Sequence, residues 1–222
     1  MLEVKKRKAV SQDPKILLLY GPPKVGKTTM LSKLDNLLIL DTETGARMVD
    51  GHILEINSRE DLINLIKDAK TGHSFTYIAI DTIDKVVQWA EAAVCSEHQV
   101  SALADLAFGK GWGLAREKVM NTIKTLSSLC DHLIIIGHRK TAKAIVDGAD
   151  TIEPESLEIT GRLKNMIMAD CDGIGYVFRD EEDKLKVTFK ANNALEAGSR
   201  SPHLKGKVID FDWKLIYKGK GK

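Results

Sequence analysis

The stretch that most constrains this chain is Ile16–Thr29, ILLLYGPPKVGKTT. Ile16 to Tyr20 is an unbroken apolar run and reads as a buried strand. Gly21-Pro22-Pro23-Lys24-Val25-Gly26-Lys27-Thr28 follows and fits G-x-x-x-x-G-K-[ST] at every fixed position. A helical run, Thr28 to Leu34, comes next. The spacing has a chemical reason. Gly21 and Gly26 let the backbone bend so that its N–H groups point inward at a phosphate, and the helix beginning near Lys27 adds its positive dipole end. Pro22, Pro23, Lys24, Val25 and Thr29 complete the expected phosphate-binding loop. Lys27 is placed to reach the β- and γ-phosphates and the Thr28 hydroxyl to ligate Mg²⁺. The alternative, a chance glycine turn before a helix, does not account for the strand in front. A site for a nucleoside triphosphate, ATP first, is therefore expected.

A length of 222 residues suits one α/β domain with a full core. The net charge is +2, so the chain is no polycation and any nucleic-acid contact must come from local patches. Cys95, Cys130 and Cys171 are widely spaced with no C-x-x-C among them. They read as reduced, buried thiols of a cytoplasmic protein, without a zinc site. No apolar run approaches the ~20 residues of a membrane span. The first ten residues, MLEVKKRKAV, carry charges but no apolar segment behind them, unlike a signal peptide. Residues 1–14 read as a basic arm, 15–210 as the core and 211–222 as a basic, frayed tail.

Leu37–Leu40 reads as a second strand ending in Asp41-Thr42-Glu43-Thr44-Gly45. Acids just past the carboxyl end of a parallel strand sit where open α/β sheets place ligands. Asp41 or Glu43 is thus a candidate to polarise a water aimed at the γ-phosphate; an ordinary Asp/Thr/Gly turn is the other reading. His52–Asn57 is a short strand, and Ser58 with Asp61 opens a helix with a capping box. Tyr77–Asp81, YIAID, has the Walker B form, whose carboxylate accepts from the P-loop Thr or a Mg²⁺-bound water. Asp84 reads as the cap of the next helix, about Lys85–Val100.

Glycines at 109, 111 and 113 predict a flexible loop over Ser101–Gly113. It carries Phe108, Lys110 and Trp112, a pattern that suits stacking on unpaired bases, although aromatics are more often buried. A long helix, Leu114–Cys130, leads into the strand Leu133–Ile136 and then Gly137-His138-Arg139-Lys140. His138, at a strand end, is placed either to touch a γ-phosphate or to bond nearby backbone. Thr141–Ser156 reads as a long polar loop, Thr160-Gly161-Arg162 opens a helix to about Asp170, and Gly175–Arg179 with Leu185–Ala191 reads as a hairpin.

The order of these parts resembles the RecA-like ATPase core and, within it, the small phage ATPases assigned as single-strand annealing recombinases. The segments that carry the resemblance are GPPKVGKTT, LILDTETG, YIAIDTID, AFGKGWG, LIIIGHRK and TGRLKNMIMADCDGIGYV, spread from about Lys15 to Lys207. It implies a mostly parallel central sheet flanked by helices with a C-terminal β-hairpin. It implies catalytic roles for Lys27, Glu43, Asp81 and His138, Mg²⁺ on Thr28 and Asp81, and ATP at the interfaces of a homo-oligomer, ring or filament. Lys190 and Arg200 are the basic residues it offers in trans. Its two DNA loops fall at about Ser101–Gly113 and Lys140–Glu158, making Phe108, Lys110, Trp112, Arg139, Lys140 and Lys143 the DNA-binding candidates. A single-strand-binding protein is an implied further partner.

The implied activity is DNA-dependent ATP hydrolysis serving annealing or strand exchange. A small-molecule kinase is the first competitor, but no tight arginine cluster follows Arg139 to serve as its lid. A motor or loader acting with a partner, and an ATP-switched binding module with negligible turnover, are the others.

Overall fold

Four residues of the first strand, Leu17 to Tyr20, are fully buried, so β1 (Ile16–Gly21) lies inside the sheet. The period of two splits them between faces: Leu18 and Tyr20 enter one core, Leu17 and Leu19 the other. The computed structural model describes residues 12–140, 155–159 and 161–219, and of 143–146 and 149–152 the backbone alone.

The chain continues through α1 (Lys27–Leu31), β2 (Leu37–Asp41), β3 (His52–Glu55), α2 (Arg59–Ala69), β4 (Tyr77–Asp81) and α3 (Ile83–His98). Then come α4 (Lys110–Leu129), β5 (His132–Lys140), β6 (Lys143–Val146), β7 (Ala149–Ile152), β8 (Ser156–Leu157) and α5 (Gly161–Asp170). The last elements are β9 (Gly173–Arg179), β10 (Leu185–Thr188), β11 (Gly198–Ser199), β12 (Val208–Asp210) and α6 (Trp213–Ile216). The sheet order is β12-β10-β9-β1-β5-β4-β2-β3. Pairing from β9 through to β3 is parallel, and β10 and β12 extend it antiparallel as the hairpin edge. This is a mostly parallel α/β sheet flanked by helices, with an antiparallel hairpin at one edge. Residues of α2, α3, α4 and α5 cover one face, and those of α1 and α6 the other. Each fully buried Leu or Ile contributes about 1.5–3 kcal/mol.

Ser58 caps α2 by accepting from the N–H of Asp61 at 3.1 Å, while the Asp61 carboxylate takes the N–H of Asn57 at 3.0 Å rather than that of the cap residue itself. All three cysteines are unpaired; Cys130 and Cys171 are buried and Cys95 only partly so.

Four expectations are corrected. Ser101–Gly113 is not an open loop: it holds two 3₁₀ turns, Leu103–Asp105 and Ala107–Gly109, and the start of α4. Gly111 is helical because its Cα packs against the chain at Leu103, where a Cβ would lie 2.4 Å from the carbonyl oxygen. That close approach offsets the ~1 kcal/mol a glycine costs inside a helix. Within 141–156 the described backbone forms a hairpin, β6 against β7. Residues 211–217 are no loose tail, since Trp213, Ile216 and Tyr217 are buried and the Trp213 indole N–H donates to the Met30 carbonyl at 2.7 Å. Finally, the strand after α4 runs past Ile136 to Lys140, because β8 pairs with it at Arg139 and Lys140. The basic cluster Lys5–Lys8 lies outside the described residues.

Candidate functional site

The site forms at the carboxyl ends of β1, β2, β4 and β5, which parallel pairing brings to one edge. Gly26 has φ 113°, a left-handed conformation that glycine adopts without strain, and the loop turns there into α1. Lys27 is buried, and its Nζ donates to the carbonyls of Gly21 at 3.0 Å and Pro22 at 2.8 Å. Burial pulls its ammonium below the usual range, against the attraction of Asp81, Asp84 and Glu43. Thr28 Oγ1 donates to Asp81 Oδ2 at 2.7 Å. Burial raises the Asp81 carboxyl, opposed first by that hydrogen bond.

A hydroxyl beside a buried carboxylate is a donor set that suits Mg²⁺. That ion takes one or two protein oxygens and completes its shell with phosphates and waters. Among the described residues no cluster of three or more His, Cys, Asp and Glu could hold a metal unaided.

Asp41 and Glu43 divide the labour of the turn after β2. Asp41 is buried and saturated: Oδ1 accepts from the N–H groups of Glu43 and Gly45, both at 3.1 Å, and Oδ2 from Ala46 at 2.9 Å. These bonds hold Thr44 at φ 56°, a conformation that costs a β-branched residue of order 1–3 kcal/mol. Asp41 builds the turn, and Glu43 is left with its carboxylate toward His138, Oε2 lying 3.8 Å from Nε2. The other ring nitrogen, Nδ1, lies 3.4 Å from Asp84 Oδ2. Asp84 does not cap α3: the N-cap is Thr82, and Asp84 sits in the first turn facing the imidazole. The pairing with Asp84 is the main cause that holds His138 above the ordinary histidine range; burial and Lys27 oppose it, and Glu43 adds to it.

Glu43 and His138 line a cleft of about 680 Å³ that Trp112, Arg116 and Arg162 line as well. Trp112 is 45% exposed and Phe108 fully exposed, so neither ring belongs to the core. Lys110 and Lys140 are exposed. Arg139 is not a free cation, because its Nη1 donates to Glu155 Oε1 at 2.6 Å and to the Tyr176 hydroxyl at 3.1 Å. The side chain of Lys143 lies outside the described residues. Lys190 is exposed. Arg200 is folded onto its own chain, donating to the Ala169 carbonyl at 2.5 Å and to Asp172 at 3.3 Å, near the amino ends of β1 and β9.

Two neighbours of the site escaped the sequence reading. Arg179 Nη2 lies 3.6 Å from where a Cβ on Gly26 would stand, which brings a cation from β9 to the phosphate loop. Arg116 follows Trp112 by one helical turn, and that i, i+4 spacing was the signal available for it.

A crystal structure of the RadB recombinase is similar, with a TM-score of 0.49 and 14% identity over 92% of this chain and 90% of that one. No curated protein matches. The AAA_24 family, described as an AAA domain, matches residues 13–201, a span that holds the phosphate loop, Glu43, Asp81 and His138 together. With that match over most of its length and a P-loop of this geometry, the chain belongs to the AAA_24 family of AAA-type ATPase domains.

Proposed function

We propose that this protein binds and hydrolyses ATP with Mg²⁺, binds single-stranded DNA, and promotes annealing or strand exchange in homologous recombination. The observation that carries the reading is the shared cleft, lined by Glu43 and His138 together with Trp112, Arg116 and Arg162. A base stacked on Trp112 and a phosphate on either arginine would lie in the same cavity as the hydrolytic residues. That proximity gives strand binding a direct route to turnover.

In this reading Lys27 leaves the loop carbonyls for the β- and γ-phosphates. Thr28 and Asp81 would hold Mg²⁺, which would neutralise charge on those phosphates. Glu43 orients a water, takes its proton as the water oxygen bonds to the γ-phosphorus, and the bond to the ADP oxygen breaks. The products are ADP and phosphate. His138 faces the place where the γ-phosphate would arrive. In an oligomer with ATP at subunit interfaces, exposed Lys190 is the better placed of the two basic candidates to act in trans, since Arg200 is engaged within its own chain.

The test is ATP hydrolysis measured with and without an unstructured oligonucleotide such as poly-dT, followed by annealing of complementary strands. Stimulation by the strand is expected. ADP formation that requires a small hydroxyl acceptor would replace this reading with a kinase, and turnover indifferent to any strand would remove the DNA half.

A further inference from the structure

We propose that Asp84 is a positioning residue of the hydrolytic site, acting through His138 on Glu43. The proposal rests on the ATPase reading above. The geometry begins with a carboxylate out of place. Asp84 lies in the first turn of α3 with its side chain mostly buried. Among the described residues its buried Oδ2 has no hydrogen-bond partner of good geometry, and the cation it faces is the His138 ring at 3.4 Å. A buried carboxylate oxygen is costly to leave unpaired, so the contact with Nδ1 is what accounts for its position.

The ring itself is held from both sides. The backbone of His138 is fixed in β5, paired with Gly21 of β1, and its carbonyl accepts from the Glu158 N–H at 2.9 Å. Asp84 lies on the Nδ1 edge and Glu43 on the Nε2 edge. An imidazole can present either nitrogen as donor, and the partner of one nitrogen decides the role of the other. Asp84 keeps a proton on Nδ1 and holds the Nε2 edge toward Glu43, to which Nε2 donates when the ring carries its second proton. Lys27 is the other charged group acting on the ring, and Glu158, Arg116 and Arg162 line the adjoining cleft.

The arrangement gives His138 two successive partners on one nitrogen. Without nucleotide, Nε2 faces the Glu43 carboxylate. A γ-phosphate delivered to Lys27 competes with Glu43 for the Nε2–H of the doubly protonated ring, and Glu43 is released toward water. Throughout the exchange Nδ1 stays with Asp84, which fixes the ring plane. Removing Asp84 lets the ring turn or change tautomer, and Glu43 loses its controlled neighbour while the phosphate loop stays intact.

The experiment uses the full chain. Asp84→Asn preserves shape and removes charge. It is expected to lower kcat for ATP hydrolysis about tenfold or more, the scale seen for partners that orient a site histidine. KM for ATP and the melting temperature should stay near wild type, and Asp84→Glu should recover part of the loss. In a His138→Gln background Asp84→Asn should cost nothing further, because the path runs through the ring. Nitrogen-15 spectra of the His138 ring supply a readout that needs no turnover: Nδ1 should carry the proton in the wild type, and that preference should vanish in Asp84→Asn. An equal loss in the His138→Gln background, or unchanged ring nitrogens, would overturn the proposal. A wild type that binds ATP without hydrolysing it would defeat the functional reading, and the ring signals would still decide this one.

Discussion

Thr28 and Asp81 meet across 2.7 Å, hydroxyl to carboxylate, although they come from different strand–helix units. The contact exists because β1 and β4 both flank β5 in parallel register and end at the same edge. Asp81→Asn is therefore expected to weaken the Mg²⁺-dependent part of ATP affinity, whereas Lys27→Ala should abolish tight binding with or without the ion. Calorimetric titration in Mg²⁺ and in EDTA checks both. Equal affinity in Lys27→Ala and wild type would remove the nucleotide assignment.

Glu43→Gln should retain ATP binding and lose hydrolysis by roughly a hundredfold or more, the scale of a general base that orients the attacking water. Asp41→Ala should also lose turnover, for a different reason: three backbone N–H groups lose their acceptor and the turn that presents Glu43 relaxes. Thermal melting separates the two, because only Asp41→Ala should lower stability appreciably, by about 1–3 kcal/mol.

Trp112→Ala should reduce single-stranded DNA affinity by roughly five- to a hundredfold, the equivalent of about 1–3 kcal/mol of base stacking. The ring is half exposed, so its loss should leave the melting temperature nearly unchanged. Lys110→Ala should instead flatten the salt dependence by about one phosphate contact. Fluorescence anisotropy over a salt series reads both; a Trp112→Ala protein that binds the strand as wild type does would exclude stacking.

His138 supplies a pH signature. Its folded pKa is raised above the unfolded value, so its contribution to stability is complete below about pH 6.5 and is lost as pH rises through the folded value. The difference in urea midpoint between wild type and His138→Gln should therefore shrink as pH rises above about 6.5. A difference that grows with pH would mean that the ring is not paired with these carboxylates.

Gly111 and Gly113 should answer oppositely to alanine. A Cβ at Gly111 would stand 2.4 Å from the Leu103 carbonyl oxygen, whereas at Gly113 the nearest atom is the end of Arg116 at 3.9 Å. Gly111→Ala should lower the melting temperature by several degrees, on the ~1–3 kcal/mol scale of overpacking. Gly113→Ala should raise it, gaining up to ~1 kcal/mol of helix propensity.

These two glycines also mark how far the amino-acid order alone can be read. The phosphate loop, the strand ending at Asp81 and the β9–β10 hairpin are local patterns, and each lies where spacing predicts. Gly111 reads as a helix breaker until Leu103 is seen against it, a contact that no periodicity reveals. Asp84 reads as a cap for the same reason: its position beside a helix start is local, but its partner His138 arrives from another strand. Arg139 reads as available to a phosphate because its partners, Glu155 just ahead of β8 and Tyr176 in β9, come later in the chain. Charge alone could not distinguish a paired arginine from a free one.

The indole of Trp213 reaches back 183 residues to the Met30 carbonyl in the phosphate-loop helix. During synthesis, which delivers the N-terminal part first, α1 is made early and waits for this brace until residue 213 has emerged. β9, the neighbour of β1 on the other side from β5, is also made late. Chains truncated just before Trp213 are therefore expected to bind ATP measurably more weakly than chains that retain residues 213–219.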